Sequence, residues 1–147
     1  MDKNVIEFLV KAKQTIFAGN GEKLEPSRPN SKNLRFAEGD LQYIDTYLGG
    51  AKFAGEEALW RDDKSFWAMN YIGRLLSQDS SIFDFLNEAL LLVSAEYPYR
   101  GPLRHENGDY LYICAVEGDF HWFSGVEEVF YKGDKVYELV FHGGDVL

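Results

Sequence analysis

Residues 41–73, LQYIDTYLGGAKFAGEEALWRDDKSFWAMNYIG, constrain the fold more than any other stretch. Leu41 to Leu48 alternates and is rich in Tyr, Ile and Thr, residues that suit a pleated surface. Gly49-Gly50 follows, and two residues that tolerate positive φ predict a tight hairpin turn. That turn sets Leu48 opposite Ala51, Thr46 opposite Phe53 and Tyr43 opposite Glu56. A second turn over Arg61-Asp62-Asp63-Lys64 sets Trp60 opposite Ser65. Ala58 then faces Trp67, Glu56 faces Met69 and Ala54 faces Tyr71. The stretch reads as three antiparallel strands.

Side chains alternate across a sheet, so this register sorts the residues into two faces. One face carries Ile44, Leu48, Phe53, Leu59, Phe66 and Ile72, an ordinary core set with Gln42 and Glu57 as polar exceptions. The other carries Tyr43, Asp45, Tyr47, Glu56, Trp60, Trp67, Met69 and Tyr71. Such a face is either a second core, where Tyr and Trp bury their rings and satisfy their polar tips, or a ligand cleft.

The flanking segments add helices and more strands. Asp2 or Asn4 suits the cap of a first helix whose stripe is Val5, Phe8, Leu9, Ala12 and Ile16. Lys3, Glu7, Lys11 and Gln14 lie off that stripe. Residues 19–33 read as a loop with two prolines and no period. Leu34 to Ala37 reads as a short strand. Asp79-Ser80-Ser81 with Asp84 resembles a capping box. It opens a second helix, with Ile82, Phe83, Phe85, Leu86, Ala89, Leu90 and Val93 on a broad apolar face. Pro98 and Pro102 then impose a constrained connection around Arg100. The last third reads as four strands, over 110–116, 120–123, 126–131 and 136–142. Gly-Asp recurs at 39–40, 108–109, 118–119, 133–134 and 144–145, which suits hairpin turns better than a calcium-binding repeat.

The expected architecture is one α+β domain over residues 1–147. It has a strongly twisted antiparallel sheet of about seven strands with two helices packed on it, in the order one helix, three to four strands, one helix, four strands.

Composition excludes several function classes. Fifteen basic and 24 acidic residues give a formal net charge of −9, a field that repels phosphate backbones and anionic membranes. Direct nucleic-acid binding and membrane association are therefore not expected. The single cysteine, Cys114, allows no intrachain disulfide, and no signal peptide or membrane-length apolar run is read. A cytoplasmic location follows as the expectation. Neither phosphate-binding glycine pattern occurs, nor a G-x-S-x-G elbow, and His105, His121 and His142 show no metal-ligand spacing. No cofactor and no metal are expected.

Several motifs together resemble a known family. They are Ser27-Arg28-Pro29, Glu38-Gly39-Asp40-Leu41, Asp45-Thr46-Tyr47-Leu48-Gly49-Gly50, Gly55-Glu56-Glu57-Ala58, Met69-Asn70-Tyr71, Pro98-Tyr99-Arg100-Gly101-Pro102, Gly118-Asp119-Phe120-His121-Trp122-Phe123 and Phe141-His142-Gly143-Gly144. The chain is similar to an uncharacterised bacterial domain family whose members occur alone or C-terminal to an XRE-type helix-turn-helix in transcriptional regulators. The resemblance implies no catalytic residues. No helix-turn-helix is read in this chain, so the resemblance does not extend to DNA binding.

The residues themselves point to a candidate ligand site at Tyr43, Asp45, Tyr47, Glu56, Glu57, Trp60, Trp67 and Tyr71, with Arg100, His121 and Trp122 beside it. Acids among aromatic rings favour a cationic or polar-aromatic small molecule. Glu57, placed on the core face, needs a partner, and Arg100 is the natural one. The leading expectation is a small-molecule-binding or regulatory module without catalysis. The alternatives are a hydrolase or isomerase using Asp45 with Glu56, or Glu57 with His121, and a protein-interaction or homodimerisation domain.

Overall fold

A computed structural model describes residues 3–147. Helix α1 spans Lys3–Phe17 and is followed by β1 (Glu22–Leu24), β2 (Lys32–Glu38), β3 (Leu41–Gly49), β4 (Lys52–Arg61) and β5 (Lys64–Leu75). Helix α2 (Ile82–Leu90) then leads to β6 (Arg104–Asn107), β7 (Tyr110–Asp119), β8 (Trp122–Tyr131) and β9 (Asp134–Asp145). The strands form one nine-stranded antiparallel sheet in the order β1-β2-β3-β4-β5-β9-β8-β7-β6. The α+β class and the two helices agree with the sequence reading. The sheet has nine strands instead of about seven, and five of them precede α2.

The difference in count has a local origin. Part of the loop 19–33 is the short edge strand β1, which pairs with β2. His105 and its neighbours form β6 at the opposite edge. The segments expected at 120–123 and 126–131 do not form two strands, because 122–131 runs as one and Phe120-His121 is the turn before it. Short edge strands limit pairing with other chains.

The first stripe is correct. Val5, Phe8, Leu9, Ala12 and Ile16 are all buried, and α1 packs on β2 and β3 while α2 packs on β7. Asn4 lies within α1, and Asp2 lies outside the described residues. At α2 the carboxylate of Asp79 accepts hydrogen bonds from the Ser81 amide (3.0 Å) and hydroxyl (2.6 Å), while Ser81 itself makes no side-chain cap bond.

The central register differs from the expectation and changes the faces. Gly49 lies opposite Phe53 and Tyr43 opposite Leu59, because the β3–β4 reversal is longer than a two-residue turn. The shift is odd, so β4 turns its other set of residues to each face. The β4–β5 turn does place Trp60 opposite Ser65. A bulge between Leu59 and Trp60 then adds a residue, so Ala58 faces Ala68 and Glu56 faces Asn70. As a result Tyr43, Asp45, Glu57, Leu59, Trp67, Met69 and Tyr71 share the inner face, under the helices. Ile44, Leu48, Ala54, Glu56, Asn70 and Ile72 share the outer one. The aromatic set is the core: Trp67 is fully buried, stacks on Phe120 at 4.8 Å and donates its indole N–H to the Phe120 carbonyl at 2.9 Å.

The two halves of the sheet repeat one another. Each is a four-stranded meander, β2–β5 and β6–β9, following a helix. Tyr43 opposite Leu59 corresponds to Tyr112 opposite Val129. The β4 bulge at Leu59/Trp60 corresponds to a β8 bulge at Val129/Phe130. At the hairpin tips, Gly49 and Gly118 take φ of 96° and 93°, conformations that favour glycine. The halves join where β5 pairs with β9, and there Tyr71 lies opposite its own counterpart, Phe141. A local two-fold axis passes between those two residues, perpendicular to the sheet.

Candidate functional site

The structure places the expected site residues in two separate environments. Tyr43, Glu57, Trp67, Tyr71 and Arg100 are buried in the core, and Asp45 and Tyr47 are half-buried beside them. Glu56, His121 and Trp122 are exposed on the other side of the sheet or at its tips, and Trp60 is half-buried near the β4–β5 turn. They do not form one continuous face.

On the inner side lies a buried ionic network, built twice. In the first half Glu57 accepts hydrogen bonds from Tyr43 and from Lys13 of α1, the latter at 2.7 Å. Lys13 also donates to the Tyr99 carbonyl at 2.6 Å. In the second half Glu127 accepts two bonds from Arg100, at 3.0 and 2.8 Å, with further bonds from Tyr112 at 2.6 Å and Tyr137 at 2.7 Å. Glu57 corresponds to Glu127 and Tyr43 to Tyr112. Each carboxylate thus has a tyrosine from the neighbouring strand and one cation from outside the sheet. Arg100 joins the halves, with its guanidinium 4.0 Å from Glu57 and 5.6 Å from the Tyr71 ring centroid.

The sequence reading paired Arg100 with Glu57, but the bidentate partner is Glu127. Lys13 was missed because it sits next to Ala12 on the apolar stripe. Glu127, Tyr112 and Tyr137 were missed because the repeat was not recognised. The signal was present: Gly39-Asp40-Leu41-Gln42-Tyr43 parallels Gly108-Asp109-Tyr110-Leu111-Tyr112, and Gly55-Glu56-Glu57-Ala58-Leu59 parallels Gly125-Val126-Glu127-Glu128-Val129.

Burial shifts the ionisable groups of this network. It pushes the Lys13 ammonium below the usual lysine range, against the pull of Glu57. It raises Tyr43 well above its ordinary value, reinforced by the charge of Glu57. Asp45, which faces Glu57 across β3 and β4 and accepts a bond from Tyr71 at 2.6 Å, is raised to about 7 by burial and then by Glu57. The second half replaces this polar pair by Cys114 and Phe141, and burial pushes the Cys114 thiol up to about 12. Among the described residues every buried polar side-chain atom has a partner, which is the condition for a stable polar core.

The expected acid–base pairs do not meet. Asp45 faces inward and Glu56 outward, while Glu57 is buried and His121 is exposed, its Nδ1 2.7 Å from Asp145. The carboxylates that do sit opposite one another are Asp45 and Glu57. The histidines do not converge: His105 bonds Glu88 at 2.7 Å, and His142 lies on the outer face of β9. Among the described residues no three side chains are arranged to hold a metal ion.

Among the described residues no helix packs on the outer face of the sheet. Two neighbouring rows of side chains cross it. One is apolar: Leu48, Ala54, Ile72, Val140 and Val126 follow one another across β3, β4, β5, β9 and β8. Ile72 is 64% and Val140 52% exposed. The other is polar: Glu56, Asn70, His142, Ser124 and Glu117 follow one another across β4, β5, β9, β8 and β7. Among the described residues these five polar side chains have no partner.

Two grooves occupy this face, and the local two-fold relates them. The second-half groove, of ≈ 610 Å³, is lined by Asn70, Glu117, Ser124, His142 and Asp145, with Trp122 as a wall. Trp122 is 82% exposed. The first-half groove, of ≈ 580 Å³, is lined by the counterparts Val140, Leu48, Ala54 and Ile72, with Lys52, Arg74 and Glu138 at its rim.

The family described as a domain of unknown function (DUF5680) matches residues 45–146, well over half of the chain. The chain belongs to that family. The DUF5680 match begins within β3 and runs through β9, so it takes in both grooves, Glu57, Arg100 and Glu127, while α1 with Lys13 lies outside it. No curated protein and no solved structure matches the chain. Among the described residues no helix is long and apolar enough to cross a membrane.

Proposed function

We propose that the protein is a small-molecule-binding module without catalysis of its own, and that its ligand sits on the outer face of the sheet. The observation that carries this reading is the second-half groove. Polar side chains with no partner among the described residues line a concave surface beside an exposed tryptophan, the composition of a recognition site. The buried network on the inner side acts as a fixed support, since its charges are already matched. A regulatory role is supported only by association, since the resembled family's members occur alone or, in some regulators, C-terminal to a helix-turn-helix. A cytoplasmic setting without direct nucleic-acid contact is part of the same reading, supported by the charge of −9.

The test is a thermal-shift screen against amino acids, polyamines, nucleosides, monosaccharides and C8–C12 carboxylates, repeated on Trp122→Ala and Asn70→Ala. A true ligand stabilises by mass action, about 2.7 kcal/mol at a hundredfold excess over its Kd. The expected result is a compound whose shift is lost in one or both variants. A transition that depends on protein concentration and on no compound would instead make the exposed row of Ile72 and Val140 a self-association surface.

A further inference from the structure

The two grooves share one backbone plan, with Gly49, Phe53 and Gly73 matching Gly118, Phe123 and Gly143, and differ in chemistry at four outward positions. Ile72 stands where the second half has His142, Val140 where it has Asn70, Leu48 where it has Glu117 and Ala54 where it has Ser124. The rim differs as well, since Lys52, Arg74 and Glu138 stand where the second half has Trp122, Gly144 and Ala68. The first-half groove is therefore an apolar trough flanked along its middle strands by Lys52 and Arg74, with Glu138 next to Arg74, on a chain with net charge −9.

Those cations are placed at a cost. Lys52 and Arg74 are directly opposed on β4 and β5, and like charges in that position destabilise a sheet. Arg74 is held by Glu138, at 2.8 Å from Nε and 2.7 Å from Nη2, and Lys135 also reaches Glu138 at 3.0 Å. Lys52 has no partner among the described residues. An anion seated between Lys52 and Arg74 would relieve their repulsion and satisfy the free ammonium.

We propose that the first-half groove binds a free, single-chain amphiphile with an anionic head. Its carboxylate lies between Lys52 and Arg74, and its chain runs from beside Ala54 along Ile72, Val140 and Val126. From the gap between β4 and β5 to Val126 on β8 the row crosses two and a half strand spacings, about 12 Å, which suits a medium-length acyl chain. The N–H donors of Arg74 that Glu138 leaves free hold the carboxylate together with Lys52, while the apolar row removes the chain from water. This inference rests on the reading of the outer face as a binding surface, and it adds the ligand class for one of the two grooves.

Decanoate, kept below its micellar concentration, is the probe, titrated calorimetrically into the full chain. Decanol and decyltrimethylammonium carry the same chain without the charge and with the opposite charge. The expected result is saturable one-to-one binding of decanoate, with decanol at least tenfold weaker and the ammonium compound silent. Lys52→Gln should weaken decanoate about tenfold, Arg74→Gln at least as much, and Ile72→Asp should abolish binding. All three positions are exposed, and the Arg74–Glu138 pair is a surface ion pair, so the variants keep the fold. Equal binding of decanol and decanoate, binding unchanged in both cation variants, or binding seen only with anionic vesicles would each overturn the proposal. If decanoate fails while another compound acts on the outer face, only this inference falls. If no compound acts there, the broader reading falls with it.

Discussion

Tyr71 and Phe141 face one another across β5 and β9, and each is the other's counterpart in the structural repeat. That position marks the local two-fold and also a divergence between the halves. Tyr71 donates its hydroxyl to Asp45, whereas Phe141 is fully buried in the core and Cys114 stands at the position of the acid. The same architecture thus supports a polar pair on one side of the axis and an apolar one on the other.

The buried ion pair of the first half gives the largest expected effect on stability. Lys13→Met takes the bonded cation from buried Glu57 and leaves it only Arg100, at 4.0 Å and already bonded to Glu127, which costs about 3–5 kcal/mol. Adding Glu57→Gln removes that charge while keeping an acceptor for Tyr43, so the double variant should recover much of the loss. Urea denaturation of the two variants and the parent checks this. A double variant no more stable than Lys13→Met would contradict it.

The repeat predicts matching consequences at Gly55 and Gly125. A β-carbon at Gly55 meets the Tyr71 ring and lies 2.6 Å from the Thr46 carbonyl oxygen. At Gly125 it meets the Phe141 ring and lies 2.7 Å from the Ala115 carbonyl oxygen. Backbone on the neighbouring strand cannot give way as a side chain can. Gly55→Ala and Gly125→Ala should each destabilise by about 1–3 kcal/mol, and shortening the aromatic ring should rescue neither in full. Thermal denaturation of both variants, alone and with Tyr71→Leu or Phe141→Leu, measures this.

Asp45 makes stability depend on pH in a defined direction. Its pKa is raised in the fold to about 7, so between the ordinary aspartate range and that value the folded state holds a proton the unfolded chain has released. Stability from this group is therefore greatest in acid, falls as pH rises through that window and is level above it. Asp45→Asn removes the term and keeps an acceptor for Tyr71. The variant should gain on the parent progressively from about pH 4 to 7 and hold a constant advantage above, read from denaturation midpoints across that range. A difference that does not change with pH would contradict the assignment.

Cys114 should be inert in the native protein. Its thiol is buried and pushed up to about 12, so thiolate is scarce at neutral pH. Iodoacetamide at pH 8 should label it only at the rate of unfolding, which mass spectrometry against time in urea follows.

Much of this architecture was legible in the sequence, and the failures have specific causes. The helix stripes were readable because apolar residues recur at helical spacing over several turns, as in Val5, Phe8, Leu9 and Ala12. The strands of the central stretch were readable from alternation. Which residues of β4 shared a face with those of β3 was not, because it depended on the length of one turn at Gly49 and on one bulge at Leu59/Trp60. Either feature inverts a face when misjudged, and so the aromatic set read as a cleft or a core became the core. Lys13 was invisible because a buried lysine on an apolar stripe is intelligible only once its carboxylate is known. The outer grooves were not legible at all, since their lining comes from strands in both halves that only the β5–β9 pairing brings together.

The claim that the outer face of the sheet is the binding surface is tested most directly by amide chemical-shift mapping of the full chain, using the small-molecule panel named above. The account predicts that an active compound perturbs the outer rows, at Asn70, Ile72, Ser124, Val140 and His142, and leaves Lys13, Tyr43 and Glu127 unmoved. Perturbations centred on the buried network, or a panel in which no compound moves any amide, would contradict it.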